Sequence, residues 1–186
     1  MTWDAAASSF DDQPDHGLRD PSVRVAWRAR LLSWLPPAPA RILDVGCGTG
    51  SLLVLLHECG YRTVGLDTSA GMLGEARRKL PGARLVRADA GDPPFAPGTF
   101  DVVLARHVAW ALPSLPAALR RWLALAGRLV LVEGRWDTGA GLSALQLTAL
   151  LSPLVSEFRV EPLTDAALWA GRLVMRVTPR CPQWTS

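Results

Sequence analysis

Lysine is almost missing from this chain: Lys79 is the single one, so the formal net charge of +3 at pH 7 rests on arginine. The basic residues are scattered, with short clusters at 77–79 and 120–121, which suits solvated helix faces better than a track for nucleic acid. Cysteine is scarce too. Cys47, Cys59 and Cys181 stand far apart, odd in total and without a CxxC pair, which argues against a disulfide framework and a zinc site. Long apolar runs are also missing, since 52–56 and 129–132 fall far short of the roughly 20 residues a membrane helix needs. Residues 1–15 carry Asp4, Asp11, Asp12 and Asp15 and no basic residue, the opposite of a secretory or mitochondrial leader. These absences lead us to expect a cytoplasmic protein with no membrane contact and no metal. What the chain does have is 186 residues, 49% of them hydrophobic, enough for one substantial core. One domain over 1–186 is expected.

Apolar periodicity then divides the chain. After a polar arm at 1–20, Pro21 suits the first turn of a helix over 21–35, in which Val23, Trp27, Leu31 and Trp34 recur at helical spacing. Short apolar runs alternate with helical patterns from there: strand 41–45, helix 51–59, strand 63–67, helix 69–80, strand 84–88. A loop rich in glycine and proline leads to a strand at 100–105, a helix at 115–126 and a strand at 128–133. Residues 134–186 add a helix near 142–151 and strands near 157–161 and 172–177. This β-α-β series predicts an α/β fold with a Rossmann-like, doubly wound sheet, helices on both faces and a ligand crevice at the carboxyl ends of the strands.

The strongest local signal is RILDVGCGTG at 41–50, a hydrophobic strand that runs into Gly46, Gly48 and Gly50 and then into a helix. Glycines let the backbone turn sharply and let a ligand approach with no Cβ in the way. Ser51 stands where the dinucleotide fingerprint G-x-G-x-x-G wants its third glycine. Asp67 ends the expected second strand, where a carboxylate can accept hydrogen bonds from two ribose hydroxyls or help cap the next helix. Asp89 and Ala90 follow the third.

The DVGCGTG form resembles motif I of class I S-adenosylmethionine-dependent methyltransferases, and the resemblance covers about 41–133. It implies a seven-stranded sheet, mostly parallel, with an antiparallel last strand. It also implies that Asp44, Gly46, Cys47, Gly48 and Gly50 cradle S-adenosylmethionine, with S-adenosylhomocysteine as product. Asp67 would meet the ribose, Asp89 and Ala90 the adenine, and Arg106 and His107 would lie beside the sulfonium, with Thr68 and Met72 also at the cofactor. The segment WDAAASSFD at 3–11 resembles the Y-D-x-x-A-x-x-Y-D stretch that folds over the cofactor in small-molecule members, with Trp3 and Phe10 replacing tyrosines. Such an arm is either a helical lid or a solvated tail. Asp92-Pro-Pro-Phe95 resembles the D-P-P-Y signature of enzymes that methylate nucleic-acid amino groups, yet it precedes the expected fourth strand, whereas that signature follows it. It reads as the D-x-P-F loop of small-molecule members.

Methyl transfer is an in-line displacement that rests on placement and exclusion of water, and a base is needed only for weakly acidic acceptors. His107 and His16 are the candidate bases; a structural hydrogen bond is the alternative for each. Trp110 and Trp136 form either an aromatic wall or part of the core. The expectation is a small-molecule methyltransferase, with a specialised metabolite as the candidate acceptor, without nucleic-acid partner, as monomer or homodimer. A non-methylating enzyme such as a cyclase, a nicotinamide oxidoreductase and a cofactor-binding partner without turnover are the rival readings.

Overall fold

The strands β1 (Arg41–Val45), β4 (Val102–Arg106) and β5 (Leu129–Gly134) are almost entirely buried, as expected of central parallel strands covered on both faces. A computed structural model describes residues 3–13, 16–135, 139–164, 168 and 172–177. Strands β2 (Arg62–Asp67), β3 (Arg84–Arg87), β6 (Phe158–Leu163) and β7 (Arg172–Val177) complete one seven-stranded sheet of order β3-β2-β1-β4-β5-β7-β6. The β1, β2, β3, β4 and β5 strands pair in parallel, and β7 runs antiparallel to both β5 and β6. The chain thus adopts the Rossmann-like α/β layering expected from its sequence.

Alternation along each strand sorts the core into two layers. Leu43, Val103, Leu129 and Leu131 face α5 (Leu115–Leu125) and α6 (Ala144–Leu151), where Trp122 and Leu119 lie fully buried. Ile42, Val102, Leu104 and Val130 face the other way, onto α2 (Pro21–Trp34) and α3 (Ser51–Glu58). Within α2, Trp27 meets Trp34 edge to face at 6.4 Å, and the Asp20 carboxylate caps the helix by accepting from the Ser22 and Val23 amides. No helix among the described residues is long and apolar enough to cross a membrane.

Some boundaries move for identifiable reasons. The fourth strand begins two positions later than expected, because Phe100 makes only an isolated bridge to Ala126 while its ring packs edge to face on Phe95 at 5.0 Å. Helix α6 starts at Ala144, where Ser143 and Gln146 form a reciprocal capping box. In the arm, α1 (Trp3–Ala6) gives way to a 3-10 turn at Ala7–Asp12 in place of a continuous α-helix.

Candidate active site

Strand order reverses between β1 and β4, so the loops leaving their carboxyl ends diverge and leave a crevice. Gly46, just past β1, has φ +68°, and a Cβ there would stand 2.7 Å from Cγ2 of Val108, just past β4. The two loops therefore touch only because residue 46 is glycine. The Gly46 and Cys47 amides both donate to the Leu66 carbonyl, at 2.8 and 3.0 Å, which ties the turn to β2. Above this floor opens a cavity of about 860 Å³, open mouth included.

Two carboxylates lie in its wall. Asp44, 2% exposed on β1, has an Oδ2 that receives no hydrogen bond from the described residues. Burial pushes its pKa up to about 7; the Arg106 guanidinium pulls the other way and the Asp67 charge adds to the rise. Asp67, at the end of β2, accepts from the Gly48 amide through Oδ2 and from the Ser69 amide through Oδ1, both at 2.9 Å. Burial raises its pKa as well, against those amides. Each carboxylate oxygen carries two lone pairs, so Asp67 keeps acceptor capacity for two hydroxyls. Ser69 caps α4 (Ala70–Lys79) by accepting from the Met72 amide at 3.0 Å, which seats the buried Met72 in the wall beside Thr68.

The two residues expected at the adenine differ in where they sit. Ala90 reaches the wall, its carbonyl held by the Trp122 indole N–H at 2.8 Å. Asp89 does not line the cavity: its exposed carboxylate accepts from the Gly91 amide at 2.8 Å and so closes its own turn. Gly50 is also off the wall. With φ +76° it faces α4, where a Cβ would sit 2.8 Å from that of Ala76, so its glycine serves helix packing. Cys47 lines the cavity, but burial raises its thiol well above the ordinary value, which keeps it an unreactive thiol.

Arg106 at the end of β4 and His107, Val108 and Ala111 beyond it also line the cavity. Arg106 stacks over the Trp27 ring at 5.1 Å. His107 has φ +60°, a conformation rare outside glycine, and such strain concentrates at functional sites. Hydrogen bonds hold it there: its amide donates to the Val132 carbonyl at 3.0 Å and its carbonyl accepts from the Trp110 indole at 2.9 Å. The fully buried Glu133 accepts from the Ala109 amide at 2.8 Å and fixes the same turn. Trp110 thereby serves the turn rather than the wall, and Trp136 lies outside the described residues.

The aromatic part of the wall comes instead from the arm. Trp3, Phe10 and His16 all line the cavity. Phe10 stacks on His16 with centroids 4.1 Å apart, and Trp3 meets Phe10 edge to face at 6.3 Å. His16 Nδ1 donates to the Phe10 carbonyl at 3.2 Å, which ties the ring to the arm's own backbone. Sequence reasoning missed Thr49, Ser51 and Leu52 in the wall, although their place in the glycine turn was a usable signal. It also missed the polar contacts that seat the arm, for which the sequence carries no pattern.

A glycine turn, a β2 carboxylate and a crevice at a strand-order reversal define a Rossmann-like nucleoside-binding protein. Residues 43–130 match the family described as a methyltransferase domain. The chain is 34% identical over 144 residues to the demethylmenaquinone methyltransferase of Beutenbergia cavernae, an alignment covering 73% of this chain and 60% of that protein. It is 39% identical over 133 residues to the trans-aconitate 2-methyltransferase of Methylobacterium nodulans, covering 68% and 48%. With the malonyl-[acyl-carrier protein] O-methyltransferase of Legionella pneumophila it shares 43% over 123 residues, covering 61% and 43%. The chain thus spans between 43% and 60% of the length of these relatives. In fold it is similar to a chain in the complex of the Haloferax volcanii Trm112 methyltransferase activator with a methyltransferase, at TM-score 0.71 and 18% identity, covering 95% and 97%. The magnesium protoporphyrin IX methyltransferase of Synechocystis, solved with bound S-adenosylmethionine, superposes at TM-score 0.66 and 22% identity, covering 83% and 77%. The family match, these relatives and the fold together support a class I S-adenosylmethionine-dependent methyltransferase.

Proposed function

We propose that this protein transfers a methyl group from S-adenosylmethionine to an O, N, C or S atom of a small molecule, and that the acceptor is a specialised metabolite. The observation that carries this reading is Asp44, a buried carboxylate in the cavity wall with a pKa of about 7 and an Oδ2 that receives no hydrogen bond from the described residues. Such a group asks for a cation, and S-adenosylmethionine carries an ammonium and a sulfonium. Asp67 suits the ribose, and Ala90 with Met72 suits the flat adenine, so the residues present fit the cofactor; Asp89 contributes no wall contact.

When bound, S-adenosylmethionine supplies an electrophilic methyl group that an acceptor takes by in-line displacement. The chain's own part is placement: the 107–111 turn and the arm border the acceptor, and Trp3 and Phe10 keep water away. His107 is the residue we assign to take the acceptor's proton, with His16, which also lines the cavity, as the second candidate. That Trp3, Phe10 and His16 close one side favours a small acceptor over a polymer. A mass-spectrometric screen for methylated products over a small-molecule library tests the reading. Turnover of S-adenosylmethionine into a product without an added methyl group would replace it with a non-methylating reaction.

A further inference from the structure

The arm crosses α4 and is pinned near both ends of that helix by its own carboxylates. Near the amino end, Asp4 Oδ1 accepts from the Ser69 hydroxyl at 2.6 Å and the Gly71 amide at 2.8 Å, where a helix terminus favours negative charge. The arm lies close there because residue 71 is glycine: a Cβ would stand 3.2 Å from that of Ala7. At the carboxyl end, Lys79 Nζ donates to Asp11 Oδ2 at 2.5 Å, Ser51 Oγ at 2.8 Å and Thr49 Oγ1 at 3.0 Å. All three protons of the ammonium are used. Thr49 in turn donates to Asp11 Oδ1 at 2.5 Å, so arm, glycine turn and α4 share one closed network.

We propose that Lys79 is a positioning residue that latches the arm shut: its ammonium holds Asp11 against the glycine turn, and the pair slows release of the cofactor. This rests on the reading of the cavity as a cofactor site. The charges explain why the two residues act as a unit. Ser51 opens α3, and a positive charge beside a helix amino terminus is unfavourable unless an anion accompanies it. The Asp11 side chain is 10% exposed and that of Lys79 26%, so neither charge is well solvated while the arm is closed. Burial lowers the Lys79 pKa, and Asp11 works against that fall. Opening the arm returns both groups to water, which makes the contact strong enough to hold and cheap enough to break.

Geometry carries the latch to the cavity. Phe10 immediately precedes Asp11, and its Cε1 lies 3.6 Å from where a Cβ on Gly48 would stand. Fixing Asp11 therefore fixes Phe10 over the glycine turn and, through the ring stack, His16.

The test compares the wild type with Lys79→Met, Asp11→Asn and the double variant. Stopped-flow displacement reads dissociation of S-adenosylhomocysteine, and hydrogen exchange reads amides 3–13. Each single change is expected to speed dissociation about tenfold with little effect on association, and to speed exchange in the arm. The double variant should be no faster than either single one, because both break the same contact. Unchanged dissociation and exchange in the single variants, or effects that add in the double, would overturn the latch. Should Lys79→Met fail to fold, the isosteric Asp11→Asn decides alone. Should the wild type bind no S-adenosylhomocysteine, the cofactor reading fails, and arm exchange in the variants still decides whether Lys79 holds the arm.

Discussion

The carboxylate of Asp67 accepts a hydrogen bond from the backbone amide of Gly48 at 2.9 Å, which joins the end of β2 to the middle of the glycine turn after β1. The group we assign to the ribose is thus also the group that shapes the glycine turn. Its second oxygen holds the Ser69 amide ahead of α4, so one side chain sets two of the cavity's borders.

Asp67→Ala should therefore weaken both S-adenosylmethionine and S-adenosylhomocysteine by roughly 1.5–3 kcal/mol, the scale of hydrogen bonds to a charged group. Titration calorimetry measures this directly. Undiminished affinity, or tight NADH binding with no response to S-adenosylmethionine, contradicts the assignment.

Asp44 makes binding depend on pH. A carboxylate whose folded pKa is raised from 3.8 to about 7, first by burial, stabilises the unliganded protein below the lower value and loses that contribution as pH climbs through the upper one. A bound cation favours the ionised form, so S-adenosylmethionine should bind more tightly as pH rises toward 7, by up to about tenfold per unit, and level off above it. Binding at pH 6 should release a proton, seen by calorimetry in buffers of different ionisation enthalpy. Asp44→Asn should flatten the profile, and an unchanged profile in that variant removes Asp44 as the titrating group.

For His107, replacement by glutamine keeps a hydrogen-bonding side chain and removes the base. Turnover should fall by roughly 10²–10⁴ at neutral pH while S-adenosylhomocysteine affinity stays within error. A pH–rate profile identical to wild type would take His107 out of the mechanism and leave His16 as the candidate.

Gly50→Ala tests the packing reading of the third motif glycine. The new methyl group would meet Ala76 at 2.8 Å in a backbone conformation of φ +76°, and we expect a loss of roughly 1–3 kcal/mol in stability. Urea denaturation with an unchanged m-value reads it. A neutral substitution would mean that α3 and α4 separate freely.

Nucleic acid should bind weakly and dissociate at moderate salt. The Asp92 to Phe95 loop is clamped onto α5, where Arg121 donates to the Asp92 carboxylate at 3.2 Å and to the Pro93 and Phe95 carbonyls at 3.0 Å, and none of the four lines the cavity. A methylated RNA or DNA product in a direct assay would reverse this prediction.

The alternation of apolar runs and the glycine turn after the first strand were enough to read the α/β layering, the crevice and most of its wall. The reason is locality: strand burial follows from consecutive side chains, and the turn needs glycine at positions a few residues apart. Asp67 at the end of the second strand was read this way, whereas Asp44, Ala90, His107 and the arm's aromatics came from the family resemblance; all of them line the cavity. Asp89 and Gly50 stand off the wall of this cavity, because a residue beside a binding loop can serve its own turn or the helix behind it, and only the direction of its side chain separates the two. Trp110 was left open for the same reason.

What the sequence determined by itself is the order of elements and the chemistry at the strand ends, since both depend on neighbours along the chain. The meeting of Gly46 with Val108, the burial that lifts Asp44, and the network joining Asp11, Thr49, Ser51 and Lys79 were decided only by the tertiary structure. Those contacts link residues distant in sequence, and their strength comes from how far folding removes each charge from water, a quantity that no local pattern encodes.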